Sequence, residues 1–294
     1  MEPWFWWVVA GMFLAGIHVF IQRIGSARGY RSNVLNTYSA LVSGVIGICI
    51  GLWLEGWQEI TLWMIVIAVV NGTVYLVGSN LRMDAMKHID TTILLPLHKF
   101  VSPLFALLIG VLFFQEVLEV TEWWGIILGA LVPLLLITKS ENARQPNLTK
   151  GLWLMTISAF IVVVNAAVNK EAVLAFESVI LFAAISHLGS APLGIIASRI
   201  RNHRNKNNTE VDLVSDFSPE FLRLALICGV VQFASFTTFL YAFAYNGPLA
   251  VVYTIHSLYI LIPIILSIIF YNEHWNTRKV VAIVASIAAI VLMR

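Results

Sequence analysis

Charge is scarce in this chain. Only 12% of its 294 residues are Asp, Glu, Lys or Arg, whereas soluble proteins carry roughly 25%. With 59% hydrophobic residues and a mean hydropathy of +0.86, a water-soluble fold is excluded, because its core could not hide so much apolar surface. Cysteine is nearly missing too. Cys49 and Cys228 both fall inside apolar runs, so no disulfide framework is indicated. There is no Walker A element, which removes nucleotide hydrolysis as an energy source. No third His, Cys or acid joins the histidines at ligand spacing, so neither a metal nor a cofactor is expected. The net charge of +2 comes from basic residues in loops between apolar runs and suggests no nucleic-acid partner. The first residues, Met1-Glu2-Pro3, lack a basic stretch, so the first apolar run reads as a retained span.

What is present is long apolar sequence. Ten runs stand at about 4–22, 33–53, 60–81, 91–114, 120–138, 151–169, 177–198, 221–244, 248–271 and 277–293. Each is long enough to cross a ~30 Å hydrocarbon core as a helix. Strand alternation is absent, and lipid requires each span to satisfy its own backbone hydrogen bonds. The lipid bilayer is therefore the chain's first partner.

The chain also repeats itself. PLHKFVSPLFALLIGVLFFQE, ending at Glu116, matches YTIHSLYILIPIILSIIFYNE, ending at Glu273. Each has a His, a Pro (Pro103, Pro263), an apolar run, an aromatic pair, an amide and a glutamate, 157 residues apart. Trp6, His18, Gln22 and Arg23 fall opposite Trp153, Asn165, Asn169 and Lys170 at an offset of 147. The polar loop after span seven accounts for the difference. An odd number of spans per half makes the second copy enter upside down. The expected fold is an all-α integral membrane protein with ten transmembrane helices in two inverted five-helix repeats. The first repeat covers 1–138, a cytoplasmic linker 139–150, and the second repeat 151–294.

Basic residues are one-sided. Fifteen of the eighteen lie in loops after odd-numbered spans; Lys170 and Arg294 lie opposite, and Lys99 is inside a span. The positive-inside rule then puts both termini outside the cytoplasm. The glycosylation sequons at Asn147 and Asn207 fall on the cytoplasmic side and should stay unmodified. Trp4, Trp6, Trp7, Trp53, Trp57, Trp123, Trp124 and Trp153 read as an interfacial belt.

The two matched stretches resemble the repeat of the drug/metabolite transporter superfamily, in its ten-helix EamA-like branch. There a proline-containing fourth helix ends in a Gly-Glu-like element and a Gly/Ala-rich fifth helix follows. Gln115-Glu116 and Asn272-Glu273 stand at that element, and Trp124-Gly125-x3-Gly129-Ala130 keeps the small-residue spacing. The resemblance implies fold and transport class, and it implies termini in the cytoplasm, opposite to the charge bias.

Lys99 lies about eight residues into span four, on the order of 12 Å deep. An ammonium there needs water or a partner, and no acid lies at that depth in any span. An anionic substrate group could supply the partner; snorkelling beside Arg82 and Lys87 is the alternative. His98 and His256 stand 18 and 17 residues before their glutamates and could bind substrate or carry a coupling proton, or simply pack between helices. Tyr253, His256 and Tyr259 share one helix face. Pro103 and Pro263 free the carbonyls of Lys99 and Tyr259. Asn71, Tyr75, Gly78 and Ser79 line one face of span three; Gln232, Ser235 and Thr238 line one of span eight. Spans one and six add His18, Asn165 and Asn169. Each of these polar residues on spans three, eight, one and six reads singly as interhelical glue; as a set they come from helices that line the cavity in the resembling family. Substrate contacts are expected from Lys99, His98, His256, Tyr253, Tyr259, Asn71, Tyr75, Gln232, His18 and Asn165. Glu116, Glu119, Glu122 and Glu273 read as solvated turn residues.

The functional expectation is a secondary transporter, in a cell membrane of the bacterial inner-membrane type. It would move a small anionic or zwitterionic metabolite by alternating access, with a coupling proton or an exchanged metabolite. A multidrug or cation exporter of the same fold is the nearest alternative. A membrane enzyme or a lipid-handling scaffold is the alternative of another class, though no nucleophile and acid–base set assembles.

Overall fold

The computed structural model describes residues 2–30, 32–137, 147–205, 218–271 and 276–294, and every regular element among them is helical. The helices are α1 (Pro3–Ala27), α2 (Ser32–Leu54), α3 (Leu62–Ala85), α4 (Thr91–Leu112), α5 (Val120–Leu135), α6 (Leu148–Ala175), α7 (Val179–Asn205), α8 (Pro219–Ala244), α9 (Leu249–Ser257), α10 (Leu261–Tyr271) and α11 (Thr277–Leu292). With α9 and α10 taken as one segment, helices occupy all ten expected positions. Seven of these stretches, in α1–α4, α6, α8 and α9–α10, are long and apolar enough to cross a membrane. The apolar parts of α5 and α7 are shorter. The helix α6 starts inside the expected linker, and most of that linker lies outside the described residues, as does Glu273.

The ninth segment is broken where proline dictates. A 3-10 turn at Leu258–Ile260 separates α9 from α10, ahead of Pro263. Pro263 has no N–H for the Tyr259 carbonyl, and its ring clashes there. By contrast α4 runs through Pro96 and Pro103 without interruption. Beside Pro103, the Ser102 hydroxyl donates to the His98 carbonyl at 2.7 Å.

The packing has the symmetry of the repeat. Helix α1 lies on α8 as α6 lies on α3, and α2 lies on α8 as α7 lies on α3. Helix α4 meets α6 as α9 and α10 meet α1, while α2–α7, α4–α9 and α5–α11 are self-paired. Individual atoms repeat the pattern. Ser158 Oγ donates to the Gly78 carbonyl at 2.7 Å, and Ser235 Oγ to the Gly11 carbonyl at 3.2 Å. Gly78 and Ser235 are 157 apart, Gly11 and Ser158 are 147 apart, and Ser and Gly have exchanged places. Likewise a Cβ on Gly72 would collide with the Ser186 carbonyl oxygen, and one on Gly229 would sit 2.8 Å from that of Ser39. Glycine there lets a helix backbone approach closely, as membrane packing favours.

Side-chain caps from the helix's own start stand at Thr61 for α3, Asp90 for α4, Asn147 for α6, Ser218 for α8 and Asn276 for α11, and at the start of α5 Glu122 accepts from the Glu119 amide at 2.7 Å. Helix α9, after Pro248, has none. Its cap comes from Glu116, on the far side of the repeat boundary, which accepts from the Leu249 amide at 2.5 Å and the Ala250 amide at 3.2 Å. Helix α7 is treated the same way: Glu55, just after α2, accepts from the Ile180 amide at 2.9 Å and the Leu181 amide at 3.0 Å. Burial raises the Glu55 carboxyl above its ordinary range, opposed by those two amides.

The tryptophans divide. Trp53, Trp57, Trp63, Trp124 and Trp153 are exposed, as a belt requires. Trp4 is buried, and Trp7 stacks on Tyr241 at 4.9 Å between centroids, so these two belong to the packing of α1 on α8.

Candidate functional site

Lys99, on α4, reaches across the repeat boundary. Its ammonium lies 4.3 Å from the centroid of the Tyr259 ring, at the broken point of the ninth segment, and also reaches the Tyr259 hydroxyl. From Tyr259 a run of rings continues: His256 at 5.7 Å, then Phe239 of α8 at 4.5 Å from His256. Tyr253, one turn before His256, is within hydrogen-bonding reach of Ser102 on α4. On the α3 side, Arg82 hydrogen-bonds the Tyr75 hydroxyl and sits close enough to act on Tyr259, Tyr253 and His98. Tyr75 itself is 44% accessible. Among the described residues no carboxylate pairs with Lys99 or Arg82.

Five of the sequence candidates therefore meet: Lys99, Tyr75, Tyr253, His256 and Tyr259. The repeat register also changes one pairing. An offset of 157 sets His256 opposite Lys99, not opposite His98, and sets Gln232 opposite Tyr75. His98 itself is 1% exposed, with Ser158 at 3.3 Å from Nε2 and Ser102 at 3.4 Å from Nδ1. The two histidines thus have different surroundings.

The amides gather elsewhere. Asn71 Nδ2 donates to Asn169 Oδ1 at 2.8 Å, and Asn165 Nδ2 to the Asn71 carbonyl at 2.8 Å and its Oδ1 at 2.5 Å. All three are buried, joining α3 to α6. His18 contacts Gln22 at 3.4 Å, and Gln22 donates to Asn36 at 3.1 Å. Buried Gln232 Oε1 has no hydrogen-bond partner among the described residues.

Glu116 corrects the reading of a solvated turn. Its side chain is 7% exposed and pairs with Lys170 of α6 at 2.6 Å, while capping α9. Gln115, at φ 51°, turns the chain back, and Gly110 leaves room for the carboxylate. Negative charge is unfavourable at the C-terminal end of its own helix, but this carboxylate serves the start of another helix.

The family comparison agrees with this two-part construction. The profile of the EamA-like transporter family matches residues 2–138 and again 149–294. The chain belongs to that family. It is thus a multi-pass membrane transporter of small solutes, built from two repeats. No curated protein matches it. A solved structure described only as "Crystal structure of protein" superposes with a TM-score of 0.72 over 96% of this chain and 95% of that one. At 13% identity it shows a shared fold.

Two residues of this EamA-like chain escaped the sequence reading. Arg82 has the position of a loop cation, although 71, 75, 78, 79 and 82 fall on one face of α3, a pattern that continues the i, i+4, i+7, i+8 series. His187 contacts Ser43 at 2.6 Å and packs 4.8 Å from the Phe236 ring; no sequence pattern marks it.

Proposed function

We propose that this chain is a secondary transporter that moves a small anionic or zwitterionic organic metabolite by alternating access. Its ten helical segments all cross the membrane, and the two five-helix repeats are inverted about an axis in the membrane plane. The symmetric exchange of helix contacts supports this arrangement. One observation carries the substrate reading: Lys99 stands on Tyr259 at the repeat interface, and among the described residues no carboxylate neutralises it. An intramembrane charge is retained at a cost of several kcal/mol where function uses it. The nearby Arg82 makes simple snorkelling a poorer account, because a second cation repels the first.

A cation exporter would need an intramembrane carboxylate, and none faces these groups among the described residues. The charge bias supports termini on the non-cytoplasmic side of a cell membrane of the bacterial inner-membrane type. Coupling would come from a proton or an exchanged metabolite. Counterflow in proteoliposomes tests the reading. Vesicles preloaded with an unlabelled carboxylate pool should accumulate a labelled member of that pool transiently. Accumulation of labelled organic cations alone would overturn it.

A further inference from the structure

We infer that the site selects a doubly charged anionic head carried on a flat ring. This rests on the reading of Lys99 as a substrate contact and goes beyond it, to a second cation and a ring slot. The argument starts from the broken symmetry of the repeat. Under the 157-residue offset, Arg82 and Lys99 of the first half fall opposite Phe239 and His256 of the second. The first half thus presents two cations and the second half two rings, which touch at 4.5 Å.

The two halves meet at Tyr259. Lys99 lies 4.3 Å from the centre of its ring, and the His256 ring packs edge to face with it at 5.7 Å. Arg82 approaches from α3, held by Tyr75 and, at 3.5 Å, by Ser79. Both holding groups are neutral and offset none of its charge. A single carboxylate would neutralise one cation and leave the other unpaired in a low-dielectric setting. A phosphate monoester or a dicarboxylate satisfies both, and a guanidinium offers the planar fork that such groups match. The His256 and Tyr259 rings, next to the ammonium, suit a flat apolar body beside the charged head.

Binding to the purified full-length protein, measured by calorimetry, tests this. The probes are phenyl phosphate, phthalate, benzoate, inorganic phosphate and benzylamine. At pH 7.5 phenyl phosphate is a dianion, its second ionisation falling near 6. It should bind about ten- to a hundredfold more tightly than benzoate, the span of one charge-assisted contact. That advantage should shrink as the pH is lowered to 5. Phthalate matching phenyl phosphate would identify the general dianion, and phthalate matching benzoate a phosphate ester. Inorganic phosphate, which lacks the ring, should bind about tenfold more weakly than phenyl phosphate. Arg82→Gln should erase the dianion advantage, and Arg82→Lys should keep part of it.

Benzoate and phenyl phosphate binding equally to the wild type would overturn the two-cation proposal and leave the anionic reading standing. Equal binding of inorganic and phenyl phosphate would remove the ring slot. Benzylamine binding while no anion binds would sink both readings together. Should Arg82→Gln fail to fold, the wild-type series across pH still decides the matter.

Discussion

Replacing Glu116 by alanine should damage this protein more than any change at an exposed carboxylate. Three donors converge on that side chain: Lys170 Nζ at 2.6 Å, the Leu249 amide at 2.5 Å and the Ala250 amide at 3.2 Å. The two charged side chains are 7% and 9% exposed. Removing one partner of a buried pair costs about 3–5 kcal/mol, since the other is left buried and uncompensated. The Phe114 ring, 4.7 Å from Lys170, offsets only part of that. Two first-turn amides of α9 lose their acceptor as well. At roughly 2–4 °C per kcal/mol for chains of this general size, the melting temperature in detergent should fall by roughly 6–20 °C. Lys170→Met should be milder, because Glu116 still accepts two amides at a helix N-terminus, where negative charge is favourable. The Glu116→Ala, Lys170→Met double variant should recover part of the loss, because the stranded ammonium is gone. Intrinsic-fluorescence melting of the four proteins completes the cycle. Glu116→Ala melting within 2 °C of wild type, or a double variant no better than Glu116→Ala, would refute this role of Glu116 as ion-pair partner and helix cap.

Other outcomes follow from the same geometry. Lys99→Ala should fold normally and lose about ten- to a hundredfold in substrate affinity, while Lys99→Arg stays partly active; normal transport by well-folded Lys99→Ala would restore the snorkelling account. Glu55→Ala should cost about 1–2 kcal/mol, the value of a helix cap, read as a lower melting temperature; an unchanged melt would show that the α7 amides find another acceptor. A reporter fused after Arg294 should be active outside the cytoplasm, and cytoplasmic activity would restore the orientation that the resemblance implies.

Lipid explains why so much of the architecture was readable in advance. Each span must close its own hydrogen bonds, so apolar length alone placed the helices, with ends within a few residues for most of them. The duplication fixed which helices correspond, and Pro263 marked the break in the ninth segment. The two-part match to the EamA-like family follows the same duplication. What the order of residues could not give was which polar groups meet. Asn71 and Asn165 looked like Tyr75 and Lys99 in pattern, yet they face each other across α3 and α6 in a closed amide cluster. Arg82 sits at the end of an apolar run, where a loop cation and one turned inward toward Tyr75 look alike. Glu116 ends one helix in sequence and starts another in space. Such assignments depend on how helices from opposite halves are rotated against each other, and interhelical packing, not the local pattern of any one helix, sets that rotation.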